Sequence, residues 1–300
     1  MRILVTGASG FVGRWTVAAL VARGAEVIAV SRQPRAAPGA ATMACDLLDA
    51  AAAARRLLSE TRPDIVLHLA WTVEHGKFWT APENLDWVGA TLALMRAAQS
   101  NGVRRFVGVG TCFEYDWPRA GDCDERTTPI APTTLYAAAK DAVRRVGAEW
   151  DALEFAWARL FYLFGPEENE NRLVASIASR LALGQPAPLS SGTAVRDFMD
   201  VRDAGAALAA IALSDAMGPV NVASGHGATI REIAEKLGRL AGRPDLIQVG
   251  RLPDRPGDPP RIVGATGRLR ADIGFSPARD LDHGLRDTYD FWQSRLQSAT

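Results

Sequence analysis

Charge imbalance is missing from this chain. Lys plus Arg and Asp plus Glu each number 34 among 300 residues, so the formal net charge is zero. No basic field advertises a nucleic-acid partner. Cysteine is scarce: Cys45, Cys112 and Cys123 form neither a CxxC pair nor an even framework, which argues against zinc and suits a reducing cytoplasm. The four histidines, His68, His75, His226 and His283, are scattered without ligand spacing, so a metal site is not expected. No run of 18 apolar residues occurs, which excludes a helical membrane span. The first strand starts at residue 2 and leaves no room for a signal peptide, so a cytoplasmic protein is expected. The length suffices for one large domain or a domain with a smaller lobe. No internal repeat or low-complexity tail is visible.

Strand and helix patterns alternate instead. Arg2–Val5 is an apolar strand and Arg14–Arg23 a helix; Val27–Ser31 is a second strand. Leu47–Thr61 reads as a helix, Ile65–Ala70 as a buried strand and Pro82–Ser100 as a helix. Arg105–Gly110 is a strand, Tyr136–Trp150 a helix and Glu154–Leu163 a strand. Buried strands between helices predict a parallel sheet covered on both faces. The pattern then breaks. Gly165–Val195 carries glycine, proline and acids around one helix, Leu173–Leu183. Helices over Val201–Leu213 and Ile230–Ala241 flank a short strand, Pro219–Val222, and Arg251–Ile262 is rich in proline, glycine and arginine. The fold class is α/β: a Rossmann-type doubly wound parallel sheet with a smaller, discontinuous C-terminal substrate lobe. The sheet domain is placed at 1–164 with returns at about 199–225, and the lobe at 165–198 and about 226–300.

Two motifs carry chemistry. The first strand runs straight into Thr6-Gly7-Ala8-Ser9-Gly10-Phe11-Val12-Gly13, a glycine turn ahead of a helix. Glycines let the backbone approach a pyrophosphate, and the helix start offers free N–H groups and positive partial charge. A turn with no ligand is the plain alternative, and the position at the head of an alternating βα chain favours the anion site. The second motif is Tyr136-Ala137-Ala138-Ala139-Lys140, which puts phenol and ammonium on one helix face. A tyrosine with pKa near ~10 is a poor acid or base at neutral pH. A neighbouring lysine cation favours the phenolate and makes proton transfer feasible.

With these motifs the chain resembles the extended short-chain dehydrogenase/reductase family of NAD(P)-dependent nucleotide-sugar epimerases, dehydratases and reductases. Further landmarks are Cys45-Asp46-Leu47, His68-Leu69-Ala70, Gly110-Thr111, Arg159–Pro166, Arg196–Asp203 and Arg255–Asp258. The resemblance implies that Thr111 holds the reacting oxygen, Tyr136 is the acid/base, and Lys140 tunes Tyr136 while gripping the nicotinamide ribose. It places Gly7, Ser9, Gly10, Phe11, Val12 and Gly13 on the cofactor pyrophosphate. Asp46 and Leu47 flank the adenine, and Leu69, Ala70, Trp71, Phe161 and Leu163 also line the cofactor. Substrate contacts fall to Thr111, Cys112, Phe113, Tyr162, Arg172, Arg196 and Arg255, the two last matching positions that hold a nucleotide diphosphate. Two departures are visible: Tyr162 and Trp87 stand where the family keeps asparagines. Family members pair through two helices, here Pro82–Ser100 and Tyr136–Trp150, so a homodimer is expected. A stripe of Leu85, Val88, Leu92 and Met95 fits that pairing or a contact with the chain's own sheet.

The second strand ends Val30-Ser31-Arg32. An acid there would accept from a ribose 2′-hydroxyl. Ser31 replaces it, and the Arg32 guanidinium suits a 2′-phosphate, with Arg35 nearby. NADP(H) is therefore expected in preference to NAD(H), which stays possible. The dehydratases of the family carry Asp then Glu after the catalytic Ser/Thr; here Cys112 and Phe113 follow Thr111, so dehydration is not expected. One position after Thr111, Cys112 turns to the other face of an extended chain and reads as buried. What remains is hydride transfer at one carbon. The expected activity is NADPH-dependent reduction of the 4-keto group of a nucleotide-linked 4-keto-6-deoxyhexose. The alternatives are a 4-epimerase with bound NAD, a reductase of a non-nucleotide carbonyl, and an NADP(H)-sensing regulator without turnover.

Overall fold

A computed structural model describes residues 1–49, 51–117 and 121–297. The chain opens with β1 (Arg2–Thr6), α1 (Gly13–Ala22), β2 (Glu26–Ser31), β3 (Ala41–Ala44), α2 (Ala51–Thr61) and β4 (Ile65–His68). It continues through α3 (Glu83–Ser100), β5 (Arg105–Thr111), a 3₁₀ turn (Cys112–Glu114), α4 (Leu135–Ala148) and β6 (Glu154–Leu160). Then come β7 (Tyr162–Phe164), α5 (Leu173–Ala182), β8 (Ala187–Pro188), β9 (Val195–Asp200), α6 (Val201–Leu213) and β10 (Gly218–Val222). The last elements are β11 (Gly227–Thr229), α7 (Ile230–Leu240), β12 (Ile247–Gln248), β13 (Arg261–Ile262), α8 (Gly267–Ala271) and α9 (Leu281–Gln297).

Seven strands form one parallel sheet in the order β10-β6-β5-β4-β1-β2-β3. The period of two sorts β1 between its faces: Ile3 and Val5 join the core under α1 and α6, Leu4 the core under α2, α3 and α4. All three are fully buried, each worth roughly 1.5–3 kcal/mol. A second sheet is built around β9, which pairs antiparallel with β11 and parallel with β13 and β7. Beside it α5, α7 and α9 enclose a separate apolar core with Leu181, Phe198, Leu237, Leu285 and Trp292.

The departures from the sequence reading have local causes. The strand expected over Glu154–Leu163 is two: after Leu160 the chain leaves the main sheet, and β7 joins β9. The helix expected from Leu47 starts at Ala51, because Asp46 caps a turn first by accepting from Leu48 N at 3.0 Å; Ala50 lies outside the described residues, as do the last three of the expected lobe. β3, β9 and α9 were not anticipated. β9 hides Arg196, Asp197 and Asp200 in its interior, so its pattern reads as polar loop. On α3, Met95 is fully buried while Leu85 is 61% exposed; Val88 and Leu92 lean on the chain's own core.

Helices α1 and α6 approach so closely that a Cβ on Gly205 would lie 2.7 Å from Thr16 N and from the Trp15 carbonyl carbon. Both atoms are backbone and cannot rotate away. Gly205→Ala is expected to cost about 1–3 kcal/mol, the range for overpacking a tight core, read as a lower urea midpoint at unchanged slope.

Candidate active site

A cleft of 1530 Å³ opens over the carboxyl ends of the parallel strands, where the strand order reverses beside β1 and ligands of open α/β sheets bind. Its floor begins at the glycine turn. Gly10 N donates to Gly7 O at 3.0 Å. Gly7 has φ +69°, and a Cβ there would meet Ala70 N at 2.8 Å; one on Gly13 would meet Gly7 O at 2.2 Å. No side chain caps α1; Arg14 N already donates to Gly10 O at 3.2 Å, and Gly13 N, with no such partner among the described residues, stays available to an anion. Beneath the turn, His68 ties three elements. Thr91 donates to Trp87 O at 2.7 Å, so His68 Nε2 donates to Thr91 Oγ1 at 2.9 Å. Its Nδ1 then accepts from Thr6 Oγ1 at 2.7 Å, and burial, with the Lys140 charge, holds the ring neutral, its pKa at about 3.

The reactive end is anchored by a residue not anticipated from sequence. Glu114, fully buried, accepts from Thr111 N at 2.9 Å, Trp157 Nε1 at 3.0 Å and Arg159 Nε at 2.8 Å. The signal was present: Thr111-x-x-Glu114 is a capping box, and Thr111 Oγ1 accepts from Phe113 N at 3.3 Å. This places Thr111 at the tip of β5, facing Tyr136. The Tyr136 phenol is pushed up by burial and then by the Glu114 charge, while Thr111 and Arg172 act the other way. Lys140, expected to lower it, is not among the leading influences. Lys140 is itself 3% exposed, and burial lowers its pKa to about 7 against the pull of Glu114. Its ammonium donates to Val109 O at 2.7 Å and stands 3.8 Å from the centre of the Trp71 ring.

An aromatic wall completes this end. Phe78 meets the Tyr136 ring edge-on at 4.9 Å, and Trp79 packs at 4.7 Å on Phe113 and receives a hydrogen bond from Tyr136 N at its carbonyl. Both lie in an irregular loop with no periodicity to flag them. The other expected cofactor residues, Ser9, Phe11, Val12, Ser31, Arg32, Asp46, Leu47, Leu69, Phe161 and Leu163, line the same cleft. Arg32 is exposed and has no hydrogen bond or ion pair among the described residues. On the substrate side, Cys112, Phe113, Tyr162, Arg172, Arg196 and Arg255 are also lining. Two of them have other engagements. Cys112 is 1% exposed, its thiol pushed far up by burial. Arg196 is 2% exposed and already paired with Asp258 at 2.7 Å, leaving Arg172 and the exposed Arg255 as the freer cations.

The chain matches the family model described as NAD dependent epimerase/dehydratase family over residues 3–223. It belongs to that family. It is 31% identical to dTDP-6-deoxy-L-talose 4-dehydrogenase (NAD(P)(+)) of Kitasatospora kifunensis, covering 96% of this chain and 94% of the relative. It is 26% identical to UDP-glucose 4-epimerase of Azospirillum brasilense, over 99% and 93%. The solved UDP-glucose 4-epimerase of Thermus thermophilus, in complex with NAD, superposes with a TM-score of 0.86 at 30% identity, over 98% and 99% of the two chains. For this epimerase/dehydratase chain the residues present fit a dinucleotide: the turn has no room for a side chain at Gly7 or Gly13, the helix start has no side-chain cap, and the guanidinium after β2 has no partner among the described residues.

Glu168 is a further residue that sequence reasoning missed. It lines the cleft at 5% exposure, and its Oε2 has no hydrogen bond among the described residues. Glu167 just before it takes φ +65° and pairs with Arg14 at the start of α1, so a strained turn swings Glu168 inward. Burial raises its pKa from 4.5 to about 8, against the pull of Arg172. The folded protein therefore keeps a proton that the unfolded chain releases above about pH 4.5, and this group's contribution to stability is lost as pH rises toward 8. Glu168→Gln removes the dependence. Thermal and urea unfolding are expected to show the variant unchanged near pH 4.5 and more stable by about 2–4 kcal/mol at pH 8, each pH unit of the gap being worth about 1.4 kcal/mol at most.

Proposed function

We propose that this protein reduces the 4-keto group of a nucleotide-linked 4-keto-6-deoxyhexose with NADPH. The observation that carries the reading is the end of β2: Ser31 stands where an acid would select NAD, and Arg32, over the cleft, has no hydrogen bond or ion pair among the described residues. A guanidinium in that place suits a 2′-phosphate, and NADPH is the form consumed as a reductant. The Kitasatospora relative supports it, since its name records dehydrogenation at C4 of a dTDP-6-deoxysugar with NAD(P)(+), the reverse of the reduction proposed. Cys112 and Phe113 beside Thr111 offer no acid pair for dehydration.

The bound dinucleotide would supply hydride to the carbonyl carbon. Tyr136 donates its proton to the carbonyl oxygen, and the raised phenol pKa keeps that proton in place until charge develops on the oxygen. Thr111 donates to the same oxygen from the strand tip that Glu114 fixes. Lys140 holds the ribose and lends positive charge to the site. Phe78, Trp79 and Phe113 exclude water, which strengthens each of these interactions. Arg172 and Arg255 meet the substrate diphosphate. A 4-epimerase is the second reading, favoured by the similarity to the Thermus thermophilus epimerase with NAD; it needs the dinucleotide retained and either face of the sugar presented to it. Two assays decide between them: loss of NADPH absorbance with CDP-, dTDP- or GDP-4-keto-6-deoxyhexoses supports the reductase, whereas interconversion of UDP-glucose and UDP-galactose in a separate incubation, with no net change in dinucleotide, supports the epimerase.

Arg32→Asp is expected to weaken NADP(H) by about 1.5–3 kcal/mol, the worth of hydrogen bonds to a charged group, with NAD(H) affinity unchanged or improved in a fluorescence titration. In wild type, NAD(H) binding as tightly as NADP(H) would remove the basis for the reductant role.

Tyr136→Phe deletes one hydroxyl from a ring still held by Phe78 and Trp79. Its kcat is expected to fall roughly 10²–10⁴-fold, the usual contribution of a positioned acid, while dinucleotide affinity is maintained. Retention of more than about a tenth of the rate with chemistry rate-limiting would reject Tyr136 as the proton donor.

A further inference from the structure

Lys140 is a buried cation without a paired carboxylate. Its hydrogen-bond partner is a backbone carbonyl, Val109 O at 2.7 Å, and no ion pair involves it among the described residues. The titratable groups facing it are Glu114 on the turn after β5, which favours its charge, and the neutral His68 on β4, with Tyr136 on its own helix. The indole of Trp71 supplies what is missing. Its ring centre is 3.8 Å from Nζ, a desolvated contact of the kind in which an aromatic face attracts an ammonium most strongly.

The ring is held in place to do this. Trp71 is 9% exposed. Its Nε1 donates to Asn84 Oδ1 at 2.8 Å, and Asn84 Nδ2 donates to the carbonyls of Phe78 and Ala81, both at 2.8 Å. Trp87 stacks on the ring at 5.9 Å and 24°. An ammonium has three donors; the Val109 carbonyl takes one and the indole face occupies a second direction, which leaves one for the cleft.

We propose that Trp71 is a positioning residue for Lys140: its clamped indole face keeps the ammonium charged and fixes which of its N–H groups is presented to the cleft. The consequence for turnover rests on the role proposed above for Lys140, but the electrostatic claim stands apart from it and is tested without substrate or cofactor.

The chain has three lysines, Lys77, Lys140 and Lys236, so protein made with isotope-labelled lysine gives three side-chain NMR signals that can be followed against pH. In wild type the Lys140 signal is expected to titrate at about 7. In Trp71→Leu it moves down by one pH unit or more, a tenfold loss in proton affinity. In Trp71→Phe, which keeps an aromatic face, most of the wild-type value returns, and Lys236 on α7 does not move in either variant. Should the leucine variant fail to fold, protein made with a fluorinated tryptophan preserves the ring's shape and thins its π face; Lys140 alone is then expected to shift downward. A Lys140 titration unchanged in folded Trp71→Leu, or unchanged by the fluorinated ring, overturns the proposal. Failure of the reductase assay with these shifts present overturns the functional reading and leaves this one standing.

Discussion

The Glu114 carboxylate is the fixed point from which the reactive end of the cleft is built. A fully buried anion is costly unless it is neutralised and hydrogen-bonded, and this one is both: strand β5 through Thr111 N, and β6 through Trp157 and Arg159, all donate to it. Arg159 passes the connection on. It donates to the Tyr115 hydroxyl, which donates to Asn221 on β10, which in turn donates to the carbonyls of Cys123 and Ala265. One polar chain thus runs across three strands and reaches the segment beside the second sheet. Removing any one member leaves its neighbours buried and short of a hydrogen bond, which is the expensive way to break such a network.

Above that anchor, low dielectric favours the neutral form of three groups. It keeps the Tyr136 phenol protonated and brings the Lys140 ammonium close to neutrality. Glu168 is left an uncharged acid in a cleft that also holds Arg172, Arg196 and Arg255. None of these is an economical arrangement for folding. Groups whose burial costs stability cluster where proteins do chemistry, and Glu168 is conspicuous because the pull of Arg172 only partly offsets its burial and its Oε2 has no hydrogen bond among the described residues.

How much of this was legible depended on what each residue answers to. The glycine turn and the Tyr136–Lys140 pair are short-range devices, one set by backbone clearance and the other by helix spacing, and both can be read from a few adjacent positions. The sheet was legible because buried parallel strands are uninterrupted apolar runs. β9 was not, since Arg196 and Asp197 are satisfied inside the fold by Asp258, Ser224 and Gly225, partners far off in sequence. The same holds for Glu114: its local capping box was visible, but Trp157 and Arg159 become its partners only when β6 docks against β5. Glu168 and the Phe78–Trp79 wall sit in irregular segments where no period marks which side faces inward. Arg196 shows the converse: a matching position suggested a ligand contact, and the folded chain gives its guanidinium an internal counter-ion.

The position of β10 has a bearing on how the molecule is made. The strand that covers the outer edge of β6 is supplied by residues 218–222, after the chain has left the main sheet and laid down β7 and β9. During synthesis the first 164 residues therefore emerge with the β6 edge open, and Arg159 close behind it lacks the Tyr115–Asn221 connection. Neither sheet can be finished before the other is started. Pairings of such long sequence separation are slow to form, and an open edge is the kind of surface on which partly folded chains associate. The assembly of this fold is thus tied to the arrival of one five-residue strand.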